Sequence, residues 1–138
     1  MAHTRSIGYW ALPLLFLLCS FGPGKKGEPK NLTKAQYNNL VGQQEMVLVD
    51  FYSPGCVFCK QLSPNVDKIE EIYKGKVKVI RINVQENRLL SEMLNIKSIP
   101  ALYLYKQQKP VWNAVGTMDK YALMLSINRF LSSEDLPY

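Results

Sequence analysis

The stretch from Met46 to Lys60, MVLVDFYSPGCVFCK, limits the possible folds more than any other part of the chain. Its first half is a continuous apolar run broken only by Asp50, the pattern of a strand buried on both faces. Ser53, Pro54 and Gly55 then supply a turn. From Cys56 onward Val57, Phe58, Leu62, Val66, Ile69, Ile72 and Tyr73 recur at threes and fours, the period of a helix. Pro64 falls inside that pattern and is expected to kink it. A buried strand running directly into an amphipathic helix requires a sheet covered by helices, and it sets Cys56 and Cys59 at the junction.

The rest of the chain repeats this alternation. In LTKAQYNNLV, Thr33 and Gln36 have the spacing of a capping box, Leu32 and Tyr37 that of a hydrophobic staple, and Gly42 stops the helix. KVKVIRINV (77–84 in its strand part) alternates and is β-branched, so it reads as a strand. NRLLSEMLN (87–95) is a short amphipathic helix. ALYLYK (101–106) and PVWNAV (110–115) are two strands joined by the polar turn QQK, and DKYALMLSINRFL (119–131) is a closing helix. The order predicts one α/β domain with a parallel β–α–β core and an added antiparallel hairpin.

The chain before this domain has a different character. After Arg5, residues 7–21 form an uncharged, Leu-rich run, and FGPGKKGEPK follows with glycines, prolines and lysines. A basic start, a short apolar stretch and small residues make residues 1–24 a signal peptide or N-terminal anchor. The run is short of the roughly 20 residues of a membrane span and contains Pro13. Residues 25–31 read as a linker and 32–138 as the domain. On this reading the protein works outside the cytosol, in a periplasm, a secretory lumen or the medium, and meets a membrane only through an uncleaved residue 7–21 segment.

Charge excludes little but does exclude something. The 17 basic residues less Arg5, against 11 acidic ones, leave a net charge of about +5 on the domain. The lysines are scattered without a dense run or interleaved aromatics, so no nucleic acid is expected as a partner. No nucleotide or flavin motif appears, GTMDK lacking the glycines of a phosphate loop, so no cofactor is expected.

With Cys19 and His3 in the leader, the domain keeps two cysteines and no histidine. A tetrahedral zinc site needs four ligands, so no metal is expected. A bridge spanning two residues closes almost no loop and restrains the unfolded chain little. Redox exchange remains. Cys56, at the start of a helix, faces unpaired N–H groups that favour its thiolate; Cys59 lies one turn further in and more buried. The asymmetry makes Cys56 the attacking sulfur and Cys59 the one that resolves the mixed disulfide. Lys60 adds positive charge nearby.

These stretches resemble the thioredoxin family over about residues 31–132. VDFYSPGCVFCKQLSP is similar to that family's strand, redox loop and kinked helix, NIKSIPALYLYKQQKP to the stretch carrying its cis-proline, and VGTMDKY to the glycine turn before its last helix. The resemblance implies a thioredoxin fold, a central mixed β-sheet flanked by helices, with a redox disulfide between Cys56 and Cys59. It implies that Pro100 is cis and that the backbone of Ile99 pairs with an extended substrate. It also implies that Asp50 is a buried carboxylate of raised pKa that moves a proton to or from Cys59. Arg81 matches the position of a neighbouring lysine. Being an arginine, it is expected to hold Asp50 more firmly charged.

The departures bear on direction. Gly55 stands where the family usually has tryptophan, and Tyr52 replaces another frequent tryptophan. The inner pair is Val57-Phe58, which is neither the Gly-Pro of reducing thioredoxins nor the His-containing pair of disulfide isomerases. The missing histidine argues against a strong oxidant. The expected function is a thiol–disulfide oxidoreductase of exported proteins, a monomer acting as reductant on protein disulfides and recharged by an upstream dithiol donor. Two alternatives stay open: a disulfide oxidase or isomerase, and a binding module whose groove around Cys56 and Ile99–Pro100, its surface shaped by Phe58 and the bare Gly55, holds a partner with turnover incidental.

Overall fold

The structure, a computed structural model, describes residues 27–136. Four strands, β1 (Met46–Tyr52), β2 (Val77–Asn83), β3 (Ala101–Lys106) and β4 (Lys109–Val115), form one sheet in the order β2-β1-β3-β4. β1 and β2 are parallel, while β3 runs antiparallel to β1 and β4 antiparallel to β3. Helices α1 (Lys34–Val41), α2 (Val57–Ile72), α3 (Arg88–Met93) and α4 (Lys120–Asn128) surround it, and a 3-10 turn at Ser133–Asp135 follows. The expected thioredoxin fold with a mixed sheet is what the chain adopts.

The unbroken apolar character of β1 follows from its central place. Met46 and Leu48 point into a core shared with Leu62, Val66 and Ile69 of α2 and with Leu123 and Ile127 of α4. Val47, Val49 and Phe51 point to the other face, against Tyr37, Val41, Ile80, Ile82 and Leu90. Both faces are therefore dry. Asp50 shares the parity of Met46 and Leu48 and is the only charged residue of β1, so it faces the α2 side and is 4% exposed. Its strand partner across the parallel pair is Arg81.

Local signals operate as expected. The Thr33 side chain accepts from the Gln36 N–H at 3.2 Å and the Gln36 side chain accepts from the Thr33 N–H at 2.9 Å, so the capping box is closed. α2 runs through Pro64, whose missing N–H removes one bond of the helical ladder. The β3–β4 turn is tighter than QQK suggested. Gln107 and Gln108 alone bridge the strands, both in the left-handed region (φ 50° and 66°), and Lys109 already belongs to β4.

Part of the expected linker lies on the domain. Asn87, 2% exposed, accepts from the Leu32 N–H at 2.9 Å and donates to the carbonyls of Pro29 at 2.9 Å and Asn83 at 3.0 Å. The Asn31 N–H donates to the Glu86 carbonyl, and Lys30 pairs with Glu86. One buried amide thus fastens residues 29–32 to the β2–α3 loop. Replacing it by alanine leaves three backbone groups without their partner. Each such group costs about 1–3 kcal/mol when it stays dry. Asn87→Ala is therefore expected to lower stability by about 2–3 kcal/mol, read as a shifted urea midpoint. An unchanged midpoint would mean that the arm contributes nothing to folding.

Candidate active site

The loop after β1 is built to present one sulfur and hide another. The Cys56 N–H donates to the Ser53 carbonyl at 3.1 Å, closing the Ser53–Cys56 turn. Cys56 is the N-cap of α2 in extended conformation, and its sulfur accepts from the Cys59 N–H at 3.1 Å. The two cysteines form a disulfide with Cα atoms 5.2 Å apart. Cys56 is half-buried and Cys59 is buried. A helix N-terminus favours negative charge, and Cys56 is the sulfur that stands at it.

The Ile99–Pro100 peptide bond is cis. The Ile99 carbonyl oxygen lies 4.0 Å from the Cys56 sulfur, so the loop before β3 faces the redox pair. Pro100 is buried, Ile99 half-buried, and no backbone hydrogen bond engages Ile99 among the described residues. Gly55 is exposed with open space where a side chain would stand. Beyond it Val57 and Phe58 are 64% and 61% exposed, an apolar pair beside the disulfide. Lys60 is exposed on the first turn of α2 and makes no ion pair among the described residues.

Asp50 and Arg81 meet, but not as expected. The Arg81 Nε is 3.8 Å from Asp50 Oδ2, beyond hydrogen-bond distance, while its terminal nitrogens reach Asp67 at 2.7 Å and Glu70 at 3.7 Å. Asp50 Oδ1 and Arg81 Nε are both buried without a hydrogen-bond partner among the described residues. Burial pushes the Asp50 carboxyl up to about 6; Arg81 opposes this and does not overcome it, and Asp67 adds to the rise. The arginine was expected to hold Asp50 more firmly charged. Arg81 does favour the charged form, but without a hydrogen bond, its short one going to Asp67, and burial outweighs it.

Sequence reasoning also missed groups at this end of the sheet. Asp67 and Glu70 carry no motif, and only the packing of α2 over β2 brings them to Arg81. Glu28 of the N-terminal arm accepts from the Tyr52 hydroxyl at the end of β1, a contact between segments far apart in sequence.

The thioredoxin family model matches residues 28–129. The thioredoxin of Porphyra purpurea is 34% identical over 102 residues, covering 73% of this chain and 95% of its own. That of Synechocystis is 39% identical over 85 residues, 62% of this chain and 79% of its own. Among solved structures, a mutant thioredoxin from Halobacterium salinarum is similar with a TM-score of 0.66 and 27% identity, covering 76% of this chain and 92% of that one.

These relatives correct the expected location outside the cytosol. They are thioredoxins, and no helix among the described residues is long and apolar enough to cross a membrane. The expectation rested wholly on the apolar run at residues 7–21, with the signal peptide or anchor assigned to residues 1–24, and both lie outside the described residues. With the matched residues spanning every strand and the redox pair at the head of α2, the chain belongs to the thioredoxin family.

Proposed function

We propose that the protein is a dithiol reductant of protein disulfides. The Cys56 thiolate attacks one sulfur of a substrate disulfide, forming a mixed disulfide and expelling the other sulfur as a thiolate. Cys59, losing its proton to Asp50, then attacks the Cys56 sulfur. That step releases the second substrate thiol and leaves the Cys56–Cys59 disulfide, so two electrons have passed to the substrate. A second dithiol must reduce the pair again. The observation that carries this reading is the asymmetry of the disulfide, with Cys56 capping α2 at the surface and Cys59 buried one turn on.

The half-buried Ile99, its backbone outside the sheet ladder, suits an extended substrate segment laid beside Cys56. Gly55, Val57 and Phe58 supply an open, apolar rim for it. That exposed pair also supports a second reading, a binding module in which turnover is incidental. Two intact cysteines favour the first, because binding needs neither.

The direction is tested by equilibrating the full chain against graded glutathione buffers and counting free thiols. The pair is expected to stay oxidised until the buffer is strongly reducing, and the dithiol form is expected to reduce insulin disulfides. A potential at or above that of glutathione would instead make the protein an oxidase or isomerase. Thiols inert toward insulin at neutral pH would leave the binding module.

A further inference from the structure

Around Asp50 one cation is shared by three carboxylates. Arg81 of β2 lies between Asp50 of β1 and the pair Asp67 and Glu70, which sit three residues apart on α2 and so project to one side of it. Asp67 and Glu70 are 61% and 55% exposed, and Asp50 is buried. The short contact, 2.7 Å, goes to the outer Asp67, while the inner contact is 3.8 Å and leaves Arg81 Nε without a partner. The remaining ionisable groups of this region are Glu28 and Tyr52, paired with each other at the end of β1, the Cys56–Cys59 pair, and the exposed Lys60.

We propose that Asp67 and Glu70 are positioning residues for Asp50, acting by holding the Arg81 guanidinium outward and off the buried carboxylate. The proposal rests on the reading of Asp50 as the group that takes the Cys59 proton. An arginine never yields its proton. Left alone beside a buried carboxylate it closes the last ångström, donates from Nε, and pins the carboxylate ionised. A carboxylate so pinned is a poor proton acceptor. The outer pair divides the guanidinium's charge and occupies its terminal N–H groups. Asp50 then has an attractive cation nearby without a hydrogen bond from it, which leaves it free to gain and lose a proton near neutrality. This also accounts for the tolerance of an arginine at a position where a lysine is familiar.

The test follows the Asp50 carboxyl by its 13C chemical shift across pH in the oxidised full chain, beside the pH profile of insulin reduction. Asp67 and Glu70 are at the surface, so Asp67→Asn and Glu70→Gln are expected to leave folding intact. Asp67→Asn is expected to lower the Asp50 midpoint by about one pH unit, the size of a gained charge-assisted bond, and the double variant by more. The acid limb of insulin reduction moves with it. Arg81→Gln is expected to raise the midpoint, and in that background Asp67→Asn is expected to produce less than half of its original shift. An equal shift in both backgrounds would mean direct repulsion through space and overturn the positioning role. So would an unmoved midpoint in the double variant. Asp50→Asn separates the two levels of the argument: if it leaves the acid limb in place, the role of Asp50 itself fails, whatever Asp67 does.

Discussion

Replacing Cys56 by serine is expected to lower insulin reduction by a factor on the order of 10³ or more, because the hydroxyl is not ionised at neutral pH and is a far weaker nucleophile. The fold gives no reason for the variant to be unstable. Cys56 is half-buried at a helix N-cap, and serine is among the best residues for that position. Cys59→Ser is expected to behave differently. Its Cys56 still attacks, but nothing resolves the product, so a mixed disulfide with the substrate accumulates and survives gel separation without reductant. The two variants together assign the roles. If Cys56→Ser trapped substrate and Cys59→Ser did not, the order of attack would be reversed. If both kept full activity, the reaction would not pass through this pair at all. In the binding-module reading Cys56→Ser retains its partner, so capture of substrate by the serine variant, with no activity lost, favours that reading over the enzyme.

Much of this site was legible because its parts sit close together in the chain. The bounds of β1, the turn at Ser53–Gly55 and the head of α2 are each set by residues within a few positions of one another, so periodicity and turn chemistry suffice to place Cys56 and Cys59. The cis bond before Pro100 is another matter. An Ile-Pro pair is compatible with either isomer, and only the resemblance to a family pointed to cis. What escaped depends on register between distant segments. Arg81 faces Asp50 because β2 pairs in parallel with β1 at that residue, and the same register lifts its guanidinium toward Asp67 and Glu70 on the helix above. On their own those two acids read as part of a solvated helix face. Asn87 escaped for a similar reason: as the asparagine that opens the helical stretch NRLLSEMLN it carries no sign that residues 29–32 fold back onto it. The expectation that Arg81 would favour a charged Asp50 was right in direction, and what pairwise chemistry left out was the burial that outweighs the arginine and the two outer carboxylates that share it.

Asp50→Asn is expected to stabilise the protein at alkaline pH and to leave it unchanged in acid. Burial raises the Asp50 carboxyl from its ordinary 3.8 to about 6. The folded state therefore holds its proton more tightly than the unfolded chain. Between these values it binds more protons than the unfolded state, so stability falls as pH rises through the window. At 1.36 kcal/mol per unit the ionised carboxylate costs the fold about 3 kcal/mol above pH 6 and nothing below about pH 4. Asparagine has the shape of the protonated acid and never ionises. The site leaves Asp50 Oδ1 unpaired already, and the amide shares that lack, so it does not set the two residues apart. Arg81 keeps Asp67 and Glu70 as partners, so no cation is stranded. The net expectation is a gain of about 3 kcal/mol at pH 8 that shrinks through pH 6 and is gone near pH 4, measured by urea unfolding of the oxidised protein. Activity is expected to move the other way, with resolution slowed on the order of 10²-fold for want of a base. A stability difference that does not change with pH would mean that Asp50 is not a buried acid titrating near neutrality, and the proton-transfer role would go with it. Stabilised and slowed together, the variant would show that the fold keeps a destabilising charge at Asp50 because resolution by Cys59 needs a base.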